Sequence, residues 1–425
     1  MRRTPTRGQG PRVPAASSLR PRAARSSARH IPLGLIPPLL LALASLGWPA
    51  RAEDPIVVGE INSRTGVLAA QGLAVAQGIR IAVEDANARG GVAGRPVRLL
   101  ERDDEGKPER AIAAAEELTA RHRVAALVGG YADNLVGPVS EVAERSRTPY
   151  VATASLDERL SQRGYRYFFR VSSLKPYLDA TVGVVRDAIR PARVAVLYSS
   201  TPGASQLAAR QREALRAASI DVPVFEPFSP GLADFTPLLS RARDRDAEIL
   251  LSDAFFADHL LIVRQLPQSG WRARAFLGAF GLEFPAVIRE LGPTAEGLLG
   301  TTAWQPGVFV PAAEAESRAF VDAYRARFGQ EPVPLGMHGY AAARALLQAL
   351  AAVARDTPRV GGDRLREALA RVDLETPLGR IKFAADGDPL FYRRVIVQIQ
   401  GGRHVVVYPP GAATARLVHP RPASP

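Results

Sequence analysis

Residues 56–100 read IVVGEINSRTGVLAAQGLAVAQGIRIAVEDANARGGVAGRPVRLL. Ile56-Val57-Val58-Gly59-Glu60-Ile61 is a short apolar run with the length and β-branched content of a buried strand. Val75, Ile79, Ala82, Val83 and Ala86 then recur at i, i+4, i+7, i+8 and i+11, which sets them on one helix face, while Gln77, Arg80, Glu84 and Asn87 fall on the other. Gly90-Gly91 predicts the end of that helix, because glycine tolerates the left-handed cap. Val97–Leu100 is the next strand. A strand, a helix and a second strand in this order imply a crossover and a parallel sheet, hence an α/β fold.

The rhythm continues in both directions along the chain. Strands are predicted at 124–128, 150–153, 194–198, 249–252, 275–277 and 298–302, and helices at 206–218, 259–265, 320–328 and 340–353. The end of the chain differs. Short strands at 380–383, 393–400 and 403–408 follow, with Gly401-Gly402 joining the last two as a two-residue hairpin. Residues 409–425 are rich in Pro and Ala and are expected to be a disordered tail.

Charge separates a leader from the body. Residues 1–52 carry nine of the 55 basic residues and no acid, leaving 46 basic and 42 acidic residues over the other 373. The high overall charge therefore belongs mostly to the leader, and no basic run with interleaved aromatics remains to suggest nucleic-acid binding. Residues 33–47 are apolar, arginines precede them, and Ala50-Arg51-Ala52 is a small-x-small signal. Residues 1–52 are read as a signal peptide, too short in its apolar part to span a bilayer. A body of 373 residues exceeds what one core usually serves, so two domains are expected.

Catalytic chemistry finds little support. Cysteine is absent, which excludes disulfides, thiolate metal sites and cysteine nucleophiles. The six histidines lack metal-ligand spacing. Neither a phosphate-binding glycine loop nor a nucleophile elbow occurs. Gly90-Gly91-x-x-Gly94 follows a helix rather than a strand, and Asp103-Asp104-Glu105 reads as a solvated loop. No cofactor or metal is implied. What remains suits ligand binding at loops beyond strand ends.

At this point the chain resembles a known family. Residues 79–95, IRIAVEDANARGGVAGR, are similar to the first helix and turn of the leucine/isoleucine/valine-binding proteins, the periplasmic substrate-binding components of ABC transporters. Glu101–Asp104, Leu127–Gly130, Tyr167–Val171, Val194–Tyr198, Asp234–Thr236, Ala319–Tyr324, Thr376–Gly379 and Phe383–Gly387 match further landmarks in order, over about residues 54–408. The resemblance implies a type I periplasmic binding protein fold, with two Rossmann-like lobes, parallel sheets flanked by helices and a three-crossover hinge. It implies a first lobe of 54–171 and 303–379 and a second of 172–302 and 380–408, with crossovers near 170–172, 301–303 and 379–381. It implies a periplasmic monomer that captures a small-molecule ligand between the lobes, without catalysis, and delivers it to ABC transporter permease subunits in the inner membrane. A ligand-sensing subunit of the same fold is the alternative.

Carried across residue by residue, the family's pocket maps to Thr65, Asp133, Ala154, Ser155, Phe255 and Phe280, and Arg64 and Tyr131 of this sequence join them as candidates by their chemistry. Phe280 stands where the family has the acid that pairs with a ligand ammonium, with Asp133 or Asp253 as candidate substitutes for it, and Gly203 stands at a tyrosine position. Phe255, Phe280 and Tyr131 suggest an apolar or aromatic wall, and Thr65, Ser155 and Arg64 are candidate donors to a carboxylate. The expected ligand on this basis is an organic acid with an apolar or aromatic body. Trp304, at a crossover, is either a hinge-packing residue or a ligand contact.

The leader makes the first prediction. Edman sequencing of protein recovered from the periplasm should begin at Glu53 or within a few residues of it. Recovery of the full-length chain from the cytoplasm alone would sink the assignment.

Overall fold

The computed structural model describes residues 54–307 and 311–422. The expected signal peptide lies outside them. The first lobe opens with β1 (Ile56–Asn62), α1 (Ala69–Ala88), β2 (Val97–Asp103), α2 (Pro108–Glu116), β3 (Ala126–Tyr131), α3 (Asp133–Arg145), β4 (Tyr150–Ala154) and β5 (Phe168–Arg170). The second comprises α4 (Leu174–Val184), β6 (Arg193–Ser199), α5 (Pro202–Ala217), β7 (Asp221–Phe228), α6 (Thr236–Asp244), β8 (Ile249–Asp253), α7 (Phe256–Gln265), β9 (Ala275–Gly278), α8 (Pro285–Leu291) and β10 (Leu299–Thr302). The chain then supplies α9 (Glu314–Phe328), α10 (Pro334–Ala354), α11 (Gly362–Ala370) and the hairpin β11 (Asp373–Thr376) and β12 (Gly379–Lys382), before β13 (Val395–Gln400) and β14 (Arg403–Tyr408).

Two sheets organise these elements. The first has the order β2-β1-β3-β4-β5 and is parallel throughout. The second has the order β14-β13-β10-β9-β8-β6-β7, parallel from β10 to β7, with β13 and β14 added antiparallel at one edge. The central strands β3, β4, β8 and β9 are buried along their whole length, as expected of parallel strands covered on both faces. The Gly401-Gly402 turn has positive φ at both residues, 58° and 69°, the backbone that a two-residue hairpin twist requires. β5 and β7 were not anticipated. β5 has three residues, and β7 is interrupted by Pro223 and Pro227 and half exposed, so neither carries a clean periodic signal.

The helices α9 and α10 return to the first lobe, where α10 packs along α1. That crossing is close because it is lined with glycine: a Cβ at Gly78 would overlap the Gly336 carbonyl oxygen, and one at Gly339 would overlap Val75 carbonyl oxygen. The chain thus passes between the lobes three times, after β5, after β10 and before β13. The third passage lies later than the expected 379–381. Arg170 N–H donates to Gly387 carbonyl oxygen at 3.0 Å, and the Arg170 guanidinium pairs with Asp388 at 2.6 Å, so residues 383–388 still belong beside β5. The open edge of β5 draws this segment in.

The tail also departs from expectation. Residues 409–422 lie against the second sheet rather than being disordered. Gln398, 1% exposed, donates to Val418 carbonyl oxygen and accepts from Val418 N–H, both at 2.9 Å, and Arg421 N–H donates to Arg274 carbonyl oxygen at 2.6 Å. A buried amide on the sheet needs such partners, and the tail provides them.

The glycine-lined crossing yields a prediction. Gly78→Ala should destabilise the chain by about 1–3 kcal/mol through overpacking of two backbones. Gly411→Ala, which meets nothing within 4 Å, should leave the urea midpoint unchanged. Equal midpoints for both variants would refute the close-packing account.

Candidate functional site

Both sheets aim their strand C-termini at one small, partly open cavity lined from both lobes. From the first lobe come Tyr131 and Ala132 after β3, Asp133 at the start of α3, and Ala154, Ser155 and Leu156 at the end of β4. From the second come Tyr177 of α4, Thr201 and Ala204 at the start of α5, Phe255 after β8 and Phe280 after β9.

The local backbone explains how Tyr131 and Asp133 share this wall. Tyr131 ends β3 and Asp133 opens α3, with Ala132 as the single turn residue between them. Ala132 has φ 73° and ψ 143°, a strained conformation for a residue with a Cβ, costing about 1–3 kcal/mol. It is held by its own N–H, which donates to Ala154 carbonyl oxygen at 3.0 Å, and by Val136 N–H, which donates to the Ala132 carbonyl. Asp133 then sits in the first turn of α3, where the helix dipole favours its charge. Its Oδ1 accepts from the N–H groups of Leu156 and Asp157 at 2.7 and 2.8 Å. Burial pushes its carboxyl above the usual range, opposed by those two N–H groups and by Arg170.

The apolar wall is a run of rings. Tyr131 meets Phe255 edge-on at 6.0 Å, Phe255 stacks on Phe280 at 5.7 Å, and Phe280 meets Tyr177 at 5.3 Å and 60°. Behind Tyr177 lies Arg394, its guanidinium 3.7 Å from the ring centroid. Arg394 donates to Thr301 carbonyl oxygen at 2.7 Å, to Thr301 Oγ1 at 3.1 Å and to Tyr392 Oη at 2.5 Å. Tyr392 Oη in turn pairs with His338 Nε2 of α10 at 2.8 Å. Gly203, at the start of α5, faces Asp133 across the cleft so closely that a Cβ would overlap Asp133 Oδ2. A side chain at that position would hold the two lips apart.

Six of the eight expected site residues therefore meet here: Tyr131, Asp133, Ala154, Ser155, Phe255 and Phe280. Arg64 and Thr65 do not line the cavity. Arg64 pairs with Glu60 at 2.8 Å and Glu101 at 3.2 Å, and Thr65 Oγ1 donates to Asp103 at 2.7 Å. Glu60 is fully buried and burial raises its carboxyl, so the neighbouring guanidinium is held as its counter-charge. This removes two of the three carboxylate donors assigned from the sequence. Trp304 is also absent from the cavity. It is fully buried, donates to Ser317 Oγ at 2.9 Å and packs edge-on against Phe320. Tyr177, Thr201 and Arg394 were missed, since each lies in a segment whose neighbours carry no pattern beyond ordinary packing.

With this geometry in place, comparison with known proteins assigns the class. A family model described as periplasmic binding protein matches residues 55–403, and the chain belongs to that family. Among curated relatives, Leu/Ile/Val-binding protein homolog 8 of Brucella suis biovar 1 is 25% identical over 399 residues, covering 89% of this chain and 96% of the relative. Among solved structures, the branched-chain amino acid transporter substrate-binding protein LivJ of Streptococcus pneumoniae, in complex with isoleucine, superposes with a TM-score of 0.75 at 21% identity, covering 84% of this chain and 100% of that one. A solute-binding protein from an ABC transporter of R. palustris, in complex with benzoate, gives 0.74 at 17% identity, covering 87% and 98%. These superpositions establish the type I periplasmic binding fold, two lobes of parallel sheet flanked by helices.

Two acids beside the cavity set a pH dependence. Asp253 is fully buried, and burial pushes its carboxyl up to about 8, with only Gln211 Nε2 donating to it at 3.2 Å. Burial likewise raises Glu283 to about 7, opposed by Arg394. Both keep a proton in the folded chain that the unfolded chain releases near its ordinary value, so stability falls as pH rises through 7 and 8. His259 and His338, depressed to about 4 and 3 by burial, act oppositely but only below their ordinary 6.5. Urea midpoints should therefore be lower at pH 8.5 than at pH 6.5, a window about two units wide above the histidine range. Asp253→Asn should shrink the difference. A midpoint that rises across this window would contradict the assignment.

Proposed function

We propose that this chain is the solute-binding component of an ABC-type importer. It works in the periplasm, captures a small organic ligand with an apolar or aromatic body between its lobes, and presents the closed form to a membrane permease. The observation that carries this reading is the cavity built half from each lobe, at the C-terminal ends of strands in both sheets. The assembly of rings suits a ligand body of this kind. At about 25 cal/mol per Å², a ring burying about 150 Å² contributes close to about 4 kcal/mol before ordering costs.

Binding rather than catalysis is the reading most consistent with the lining: one carboxylate, two hydroxyl groups of serine and threonine, two phenols and otherwise apolar atoms, without an assembled base and nucleophile among the described residues. Three passages between the lobes allow near-rigid rotation about the hinge. The relatives named for leucine, isoleucine and valine, and the neighbours holding isoleucine and benzoate, make those compounds the first probes.

Thermal shift with isoleucine, benzoate and related small solutes should identify at least one stabilising compound. Small-angle scattering at saturation with that compound should show a smaller radius of gyration than without it. An unchanged radius would refute closure while leaving binding intact, and failure of a broad solute screen would refute the importer reading.

A further inference from the structure

The cavity has a polar end of unusual sign for a site in which the sequence placed a carboxylate. Asp133 is the one charged residue among those that line it, and no Lys, Arg or His joins it there. Its Oδ1 already accepts the N–H groups of Leu156 and Asp157, so these backbone donors beside the cavity are committed to a protein carboxylate. Oδ2 receives no hydrogen bond from the described residues and lies close against Gly203 of the opposite lobe. The nearest buried cations are committed elsewhere. Arg170 pairs with Asp388 and donates to Asp157 carbonyl oxygen at 2.9 Å. Arg394 lies behind Tyr177, with Nε, Nη1 and Nη2 all donating to Thr301 and Tyr392.

Two consequences follow for a ligand. A carboxylate placed at this end would meet Asp133 in a largely dry space, where like charges repel strongly and no lining cation offsets them. A group bearing N–H donors would find Oδ2 within a frame already held rigid by two backbone hydrogen bonds. Four rings, Tyr131, Phe255, Phe280 and Tyr177, continue from that end, and aromatic faces attract cations as well as apolar bodies. Ser155 Oγ, on a residue 1% exposed, has no hydrogen-bond partner among the described residues, and a hydroxyl serves either as donor or as acceptor.

We propose, resting on the reading of this cavity as the ligand site, that Asp133 selects ligands by an N–H-bearing cationic group, a protonated amine or amidine, attached to an aromatic or branched apolar body. Simple carboxylates of the same body are disfavoured. This reverses the organic-acid expectation drawn from Phe280. The acid absent from position 280 is replaced by one from the opposite lobe.

Calorimetric titration of the purified protein with 2-phenylethylamine, 2-phenylethanol and phenylacetate, all at pH 7.5, tests the proposal. These probes share a ring and differ in the polar group. The amine should bind at least about tenfold more tightly than phenylacetate, a difference of about 1.4 kcal/mol. Asp133→Asn keeps an oxygen for the two N–H donors and should weaken the amine about tenfold or more, while leaving the alcohol within about threefold. Tighter binding of phenylacetate than of the amine by the unaltered protein would overturn the proposal and leave the solute-binding reading standing. An amine preference that Asp133→Asn does not change would overturn the role of Asp133. Absence of binding by all three to folded protein would count against the aromatic-bodied solute as well. Should the variant fail to fold, the ranking on the unaltered protein decides the amine preference by itself.

Discussion

One buried guanidinium ties together the junction between the two lobes. Arg394 stands at the third passage of the chain, donates twice to Thr301 at the end of β10, where the second passage begins, and sits over the ring of Tyr177 of α4, just after the first. Through Tyr392 it reaches His338 of α10, on the first lobe. A buried cation must satisfy its donors or pay a large desolvation cost, so its partners are fixed relative to one another. The planar fork spreads that constraint over all three connections. Tyr177 is both the platform for this cation and part of the cavity wall, so the junction and the cavity share a side chain.

The rest of the cleft follows from how the parallel sheets end. Parallel strands deliver their C-termini to one edge, and the loops there are free of the packing that covers both faces of the sheet. Facing edges from two lobes make a cavity without either lobe having to enclose one. The electrostatics of this space are dominated by burial. Asp133, Asp253 and Glu283 all have raised carboxyls because their surroundings are dry, and only Glu283 has Arg394 near enough to oppose the shift appreciably. Charge is thus sparse and costly here, and Asp133 is the single carboxylate among the lining residues.

Much of the fold was legible because it rests on local patterns. The face of α1 repeats its apolar residues at helical spacing, and β1, β3, β4, β6 and β8 are runs of buried β-branched and aliphatic residues. The lining of the cavity was legible where it follows a strand end, as at Tyr131, Ser155, Phe255 and Phe280. It was not legible at Arg64 and Thr65, which also follow a strand. Their side chains answer to Glu60, Glu101 and Asp103, and the pairing of β1 with β2 brings Glu101 and Asp103 alongside. The tail failed for a similar reason, since its composition says nothing of Gln398, the buried amide that it completes.

By itself, then, the sequence determined the alternation of strands and helices, the export leader as an expectation, the absence of thiol chemistry and the family, because each is carried by neighbours in the chain or by composition. Tertiary structure alone decided which polar groups face the cavity. Asp133 opens α3 beside it, the Glu60 and Glu101 charges hold Arg64 away from it, and the glycine at 203 lets the opposite lobe lie against Asp133. The physical reason is that a buried charge takes its direction from partners distant in sequence, whose positions exist only once the chain has folded.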